Sequence, residues 1–216
     1  MCLRAYLIGP SHTDSRLTVI RQAHPQDREG VLATVTAAFA QDPGWAFLMG
    51  EEYERLAPEF VGALFDLRAP GGNVWVSDDL ATVAMWESPG GDDDEQGTRT
   101  KKAWARYVSL AGEEAHERLV AYKTALAAVC PADPYWYLGV LATHPARQGE
   151  GLATAVLTPV LDEADRLDVA CCLETSTMKN RRFYERRGFE QAAEIILRGG
   201  PDTWWLRRDP KGMAAK

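Results

Sequence analysis

The feature that most limits how this chain can fold is a strand, a tight turn and a helix in direct succession. Residues 135–142 are continuously apolar, the mark of a strand buried on both faces. Residues 149–166 carry apolar side chains at helical steps, with Leu152, Val156 and Val160 in one row and Ala153, Leu157, Leu161 and Ala164 beside it. Between them lies Thr143-His144-Pro145-Ala146-Arg147-Gln148-Gly149-Glu150-Gly151. A buried strand feeding a helix through so short a turn calls for a sheet with helices packed against it.

The turn has the chemistry of an anion site. A helix start leaves its first N–H groups unpaired and carries roughly half a positive charge. Small residues at 149, 151 and 153 let a phosphate come close to the backbone, and Arg147 offers a cation near the same place. This is not a Walker loop, because no Lys-Ser or Lys-Thr pair follows the glycines. A dinucleotide loop is also excluded, since Thr154 stands where its third glycine belongs. Taken alone, the segment also reads as a turn that needs glycine for geometry only.

Around this centre the pattern predicts alternating strands and helices. Residues 17–22 read as a first strand. Pro25 opens a helix whose Val31, Leu32, Val35 and Phe39 share a face, until Asp42-Pro43-Gly44 stops it. A second helix spans 51–68, with Leu56, Phe60, Leu64 and Leu67 in one stripe. Residues 73–77 and 81–87 form a hairpin, and the acidic run 89–95 reads as a solvated loop, with a substrate-attracting lid as the competing reading. A helical pair covers 101–130, where Ala115, Leu119, Tyr122, Leu126 and Val129 make a core stripe. Pro159 should kink the helix after the turn, at a cost of about 3 kcal/mol. A strand at 169–174, a short helix at 180–187 closed by Gly188, and strands at 192–198 and 203–207 complete the chain. With no repeat and no Gly/Ser linker, the expected organisation is a flexible leader (1–16), one α+β domain (17–210) and a tail (211–216).

Composition narrows the partners. The 216 residues include 31 acidic and 24 basic side chains, a net charge of −7 that repels phosphate backbones and argues against nucleic acid. No apolar stretch approaches the ~20 residues of a membrane span, and the N-terminal apolar patch 5–8 is too short for a secretory signal. A cytoplasmic protein without a membrane partner is expected. Cys2, Cys130, Cys171 and Cys172 lack zinc-ligand spacing, so reduced thiols and no bound metal are expected.

The turn gains meaning from Asn180-Arg181-Arg182-Phe183-Tyr184-Glu185-Arg186-Arg187-Gly188-Phe189 downstream. With both segments in view, the chain resembles the GNAT superfamily of acyl-CoA-dependent N-acetyltransferases. That family's fingerprint joins a Q/R-x-x-G-x-G/A pyrophosphate loop, here Gln148 to Ala153, to a later helix carrying Asn, an aromatic pair and Gly-Phe. Residues 38–40, 74–79, 173–176, 183–189 and 201–204 further resemble puromycin N-acetyltransferase-like actinobacterial members, and the likeness spans about residues 17–210. Ala153 departs from those relatives, which carry a third glycine there; Thr143 and His144 stand where they have smaller or apolar residues.

The resemblance implies an α/β/α fold of the α+β class: a mixed, mostly antiparallel sheet of six to seven strands with splayed central strands and flanking helices. It implies acetyl-CoA as acyl donor, its pantetheine arm along Leu141, Ala142 and Thr143. Its pyrophosphate would lie on Gln148, Gly149, Glu150, Gly151, Leu152 and Ala153, with Arg147 nearby. Asn180 either holds the arm or caps its own helix, and Phe183 belongs to the same motif. Tyr184 is the expected acid for the departing thiolate, with a packing aromatic as the competing reading.

The amine attacks the thioester directly and must be neutral, which calls for a base. Glu174, at the end of an apolar strand beside the cleft, comes first, because desolvation raises a carboxyl pKa toward a useful value. A buried backbone partner is its competing role. Glu87 and Asp42 follow it, and His144 suits a surface or phosphate role. The expected reaction moves an acetyl group onto a primary amine of a small molecule, with aminonucleoside-type antibiotics among the acceptors, in a monomer or homodimer. A protein-amine acetyltransferase and a non-catalytic acyl-CoA sensor are the alternatives.

Overall fold

The computed structural model describes residues 6–7, 18–90 and 94–212. Its strands are β1 (Tyr6–Leu7), β2 (Val19–Gln22), β3 (Val74–Ser77), β4 (Thr82–Glu87), β5 (Tyr135–Thr143), β6 (Ala170–Thr175), β7 (Glu190–Ile195) and β8 (Thr203–Arg208). They form one sheet in the order β1-β2-β3-β4-β5-β6-β8-β7. β5 and β6 run parallel, and the other neighbouring pairs are antiparallel. The sheet is mixed and mostly antiparallel, as expected, with one strand more than the six or seven anticipated. The added strand, β1, lies inside the segment assigned to a leader; residues 1–5 and 8–16 of that segment lie outside the described residues.

Helices cover both faces. α1 (Arg28–Phe39), α2 (Pro43–Met49), α3 (Tyr53–Arg68) and α4 (Asp94–Ala127) lie on one, and α5 (Leu152–Leu167) and α6 (Met178–Glu185) on the other. The two-residue period of β4 shows how the layers divide: Val83 and Met85 pack under α1–α4, while Ala84 and Trp86 pack with α5 and α6. Cys171 and Cys172 point to opposite sides of β6, and burial pushes both thiols up to about 12. These two and Cys130 are free.

Several boundaries differ from the sequence pattern for identifiable reasons. Asp42-Pro43-Gly44, read as a stop, also starts α2: the Asp42 carboxylate accepts the N–H groups of Gly44 and Trp45 at 2.9 and 3.0 Å, with Pro43 at the first helical position. The helical pair breaks at Gly112 (φ 69°, ψ 175°) and begins at Asp94, inside the run read as a solvated loop; residues 91–93 lie outside the described residues. α5 starts at Leu152 because Gly149 and Gly151 have φ of 88° and 83°. It continues without interruption through Pro159, and the Thr158 hydroxyl donates to the Thr154 carbonyl at 3.0 Å. α6 starts two residues early because Thr177 caps it, accepting the Asn180 N–H at 3.2 Å.

The sheet opens at β5. Met85 pairs with Val140 and Trp86 with Leu138, which leaves Gly139 as an extra residue in a bulge. A Cβ on Gly139 would lie 2.9 Å from Nη2 of Arg68, so glycine there makes room for a guanidinium. β5 pairs with β6 only over Tyr135, Trp136 and Tyr137. Beyond that, β5 keeps only β4 and β6 keeps only β8 as partners, and the two strands part. The expected splay of the central strands is present, and its cause is local: a bulge turns β5 away just where the parallel ladder ends.

Candidate active site

A cavity of about 860 Å³ opens at the splay, a volume within the range of small-molecule sites. One half is aromatic: Trp45 from α2, Phe60 from α3, and Trp104 and Tyr122 from α4 line it. Phe60 meets Trp45 and Trp104 edge-on, with centroids 5.2 and 5.0 Å apart. Arg68 and Glu87 pair on the same wall, with the Arg68 side chain 6% exposed against 57% for Glu87. Lys123 sits 4.6 Å from the Trp104 ring centroid, and burial holds its pKa below the usual lysine value.

Glu174 stands on β6 just past the last residue paired with β5. Its Oε1 accepts the hydroxyls of Tyr122 at 2.7 Å and Tyr137 at 2.8 Å. Oε2 is buried and has no partner among the described residues. Burial raises the Glu174 pKa against those two hydrogen bonds, and the Glu87 charge adds to the rise. Asp42, which lines the same cavity, is also raised by burial, against the N–H groups of Trp45 and Gly44.

Tyr184 is 7% exposed, on α6, with its ring edge-on to Phe183 and Phe189. It lines the cavity, and burial, reinforced by the Glu174 charge, keeps its phenol protonated well above neutral pH. Asn180 lines the cavity too, one turn earlier on α6. The capping role weighed for Asn180 belongs to Thr177 instead, because Thr177 occupies the N-cap and Asn180 is already helical. Phe183 packs on Tyr184 and lies under the Arg187 guanidinium at 3.5 Å. Leu141 lines the cavity, whereas Ala142 is buried and the Thr143 hydroxyl bonds that of Thr82 at 3.0 Å.

The turn after β5 lies at the other end of the opening. Among the described residues, the N–H groups of 149–153 have no acceptor in the chain. A Cβ on Gly149 or Gly151 would meet nothing within 4 Å. Both glycines combine positive φ with an open face, and their amides end at the N-terminus of a 16-residue helix. This cradle fits a diphosphate. Gln148 donates from Nε2 to the Thr143 carbonyl at 3.4 Å, and His144 accepts the Ala146 N–H at 3.3 Å.

Arg147, expected as a cation near the phosphate, already holds two carboxylates of the chain. It pairs with Asp79 at 2.5 Å and with Glu150 at 2.8 Å, and those hydrogen bonds raise its pKa and hold Glu150 low. Its guanidinium braces the turn against the β3–β4 hairpin while the side chain stays 37% exposed.

The fold therefore brings Glu174, Asn180, Tyr184 and Leu141 to one cavity, and the amides of 149–153 to the end of β5. The residues that escaped the sequence pattern are Tyr122 and Tyr137. Tyr122 sat in an apolar stripe that reads as core, and Tyr137 in an apolar strand; neither position signals that their hydroxyls meet on one carboxylate. Among the described residues no helix is long and apolar enough to cross a membrane, and no cluster of three or more His, Cys, Asp or Glu suits a metal.

Comparison with known proteins agrees with this geometry. The model of the acetyltransferase (GNAT) family matches residues 78–189, from the β3–β4 turn through Phe189. A Schizosaccharomyces pombe protein described as an uncharacterized N-acetyltransferase is 25% identical over 188 residues, which is 82% of this chain and 76% of that protein. A solved structure of histone acetyltransferase HPA2 and related acetyltransferase from Corynebacterium glutamicum shares the fold with a TM-score of 0.67 at 22% identity, over 92% of this chain and 99% of its own. Arylalkylamine N-acetyltransferase 2 from Aedes aegypti gives a TM-score of 0.59 at 13% identity, over 89% and 98%.

Proposed function

This chain belongs to the GNAT acetyltransferase family, and on that premise we propose that it transfers an acetyl group from acetyl-CoA directly to a primary amine on an aromatic small molecule. One observation carries the reading: the sheet opens after Tyr137 between a cradle of acceptor-free amides and an aromatic cavity. The walls raised by α2, α3 and α4 suit a compact acceptor better than an extended peptide. The Aedes aegypti neighbour, named for arylalkylamines, points the same way.

The coenzyme supplies an activated thioester. In this reading the amides of Gly149, Glu150, Gly151, Leu152 and Ala153 hold its diphosphate, helped by the α5 N-terminus and by Gln148 at the turn. Arg147 keeps the turn in shape through Asp79 and Glu150. The backbone of Leu141, Ala142 and Thr143 on the side that faces β6 has no strand partner, so it can pair with an amide-bearing arm. Asn180 and Phe183 flank that arm from α6. Glu174 takes up the proton of the acceptor ammonium, and its raised pKa brings it nearer to an amine's working range. Tyr184, held protonated by burial, gives its proton to the departing sulfur. No covalent enzyme intermediate is needed.

Residues 17–210 act as one domain in this proposal, in a cytoplasmic monomer or homodimer. The resemblance of residues 38–40, 74–79, 173–176 and 201–204 to puromycin N-acetyltransferase supports aminonucleosides as acceptors, and their primary amine beside an aromatic ring suits the cavity. Coenzyme-A thiol release, followed over a panel holding puromycin, phenethylamine, a polyamine and a lysine peptide, tests the reading. Release with the aromatic amines is expected. Release only with the peptide would replace the small-molecule acceptor by a protein amine, and coenzyme binding without release from any amine would favour a sensor.

A further inference from the structure

Glu174 lines the cavity, yet both oxygens of its carboxylate are engaged or covered. Oε1 of Glu174 is occupied by two hydroxyl donors, and Oε2 has no exposed surface. We infer that Tyr122 relays the acceptor's proton to Glu174 while Tyr137 holds the carboxylate in place, an inference that rests on Glu174 being the base.

The surroundings divide the two roles. Tyr137 is the last β5 residue paired with β6, and its ring stacks on Trp205 at 6.0 Å and 16°, so it is fixed from behind. Tyr122 comes from the second half of α4 and feels Asp42 as well as Glu174. Tyr122 also lines the aromatic half of the cavity, with Trp45, Phe60 and Trp104. The titratable groups coupled to this cluster are Tyr122 from α4, Tyr137 from β5 and Glu87 from β4, which act on Glu174, with Asp42 acting on Tyr122 and with Tyr184 from α6, which feels the Glu174 charge. Trp205 of β8, opposite Glu174 in register, brings no charge.

The step balances without another reactant. The ammonium gives a proton to the Tyr122 oxygen as the Tyr122 O–H proton passes to Oε1 of Glu174. The acceptor becomes a neutral amine, the phenol is regenerated, and the carboxylate ends as a carboxylic acid. Tyr122 is neutral before and after, in keeping with burial and the adjacent Glu174 charge raising its pKa.

The test uses puromycin and phenethylamine as acceptor probes, with kcat and KM measured across pH for E174Q, Y122F, Y137F, Y122H and the Y122F/E174Q pair. E174Q and Y122F should each lower kcat about hundredfold with KM little changed, and the pair should be no slower than either alone. Y122H keeps a group able to pass a proton and should run about tenfold faster than Y122F. Y137F should keep the alkaline plateau and move the acidic limb up by about one pH unit, because it removes a hydrogen bond to the ionised carboxylate. If Y122F were to misfold, as judged by loss of coenzyme-A binding in calorimetry, Y122H and Y137F carry the decision. Wild-type kcat in Y122F, multiplicative losses in the pair, or a Y122H enzyme as slow as E174Q would overturn the relay and leave Glu174 as base. Unchanged rates and acidic limb in E174Q would overturn the base, and the relay with it.

Discussion

Replacing Gly151 by alanine separates what the fold needs from what the ligand needs. Gly151 caps α5 at φ 83°, and a Cβ built there meets no atom within 4 Å. An alanine forced into the left-handed region costs about 1–2 kcal/mol, and in a chain of this size that lowers Tm by about 2–8 °C. Gly199, in the turn between β7 and β8, has φ 74° and equally open space, so Gly199→Ala should carry the same strain. The two variants part at the coenzyme. A methyl on residue 151 occupies the face that a diphosphate must approach, and losing one charge-assisted N–H bond costs about 1.5–3 kcal/mol, or roughly tenfold to hundredfold in Kd. Calorimetric titration with coenzyme A, alongside thermal melts, reads both effects. Similar melting shifts, with weaker binding confined to Gly151→Ala, are expected. Equal coenzyme affinity in the two variants would refute the assignment of this turn to the diphosphate.

Other consequences follow from the same geometry. Tyr184→Phe should lower kcat by about a hundredfold or more while leaving coenzyme affinity in place, and a rate within twofold of wild type would remove Tyr184 as the acid. Glu174 binds its proton more tightly folded than unfolded, so its contribution to stability is full below the ordinary value of 4.5 and is lost as pH rises through the folded value. Glu174→Gln should therefore melt higher than wild type near neutral pH, with the gap closing below 4.5; a gap that widens in acid would reverse the sign. Arg208 is 3% exposed and leans on Asp165 at 2.6 Å. Asp165→Asn strands that buried charge at a cost of about 3 kcal/mol, seen as a melting loss of about 6–12 °C, and a loss below about 3 °C would mean that the pair is dispensable.

What the sequence exposes here is whatever backbone geometry dictates. Gly149 and Gly151 are legible because their positive φ admits little else, and the Asn180–Phe189 segment because it pairs with them in order. The hairpin, the long apolar strand and the amphipathic face of α5 are legible through their periods. Asp42-Pro43-Gly44 misleads because the residues that stop one helix also cap the next, and only the fate of the Gly44 and Trp45 N–H groups decides. The bulge at Gly139 is silent, because it is set by the register with β4 and by the Arg68 guanidinium lying against it. Arg147 reads as a cation near the phosphate, and its pairing with Asp79 is silent because the fold delivers that carboxylate from a distant hairpin. The Tyr122–Glu174–Tyr137 constellation joins a helix, a strand beyond the splay and a strand before it, and no local pattern encodes such a meeting.

The central claim is that the glycine turn at the end of β5 holds a diphosphate and thereby directs a thioester into the splay. Calorimetric titration of the wild-type protein with coenzyme A and with pantetheine, which shares the arm but lacks the diphosphate, tests it most directly. The account predicts saturable coenzyme-A binding and at least a hundredfold weaker binding of pantetheine, about 2.7 kcal/mol. Equal affinity for the two, or no binding of coenzyme A, would contradict it.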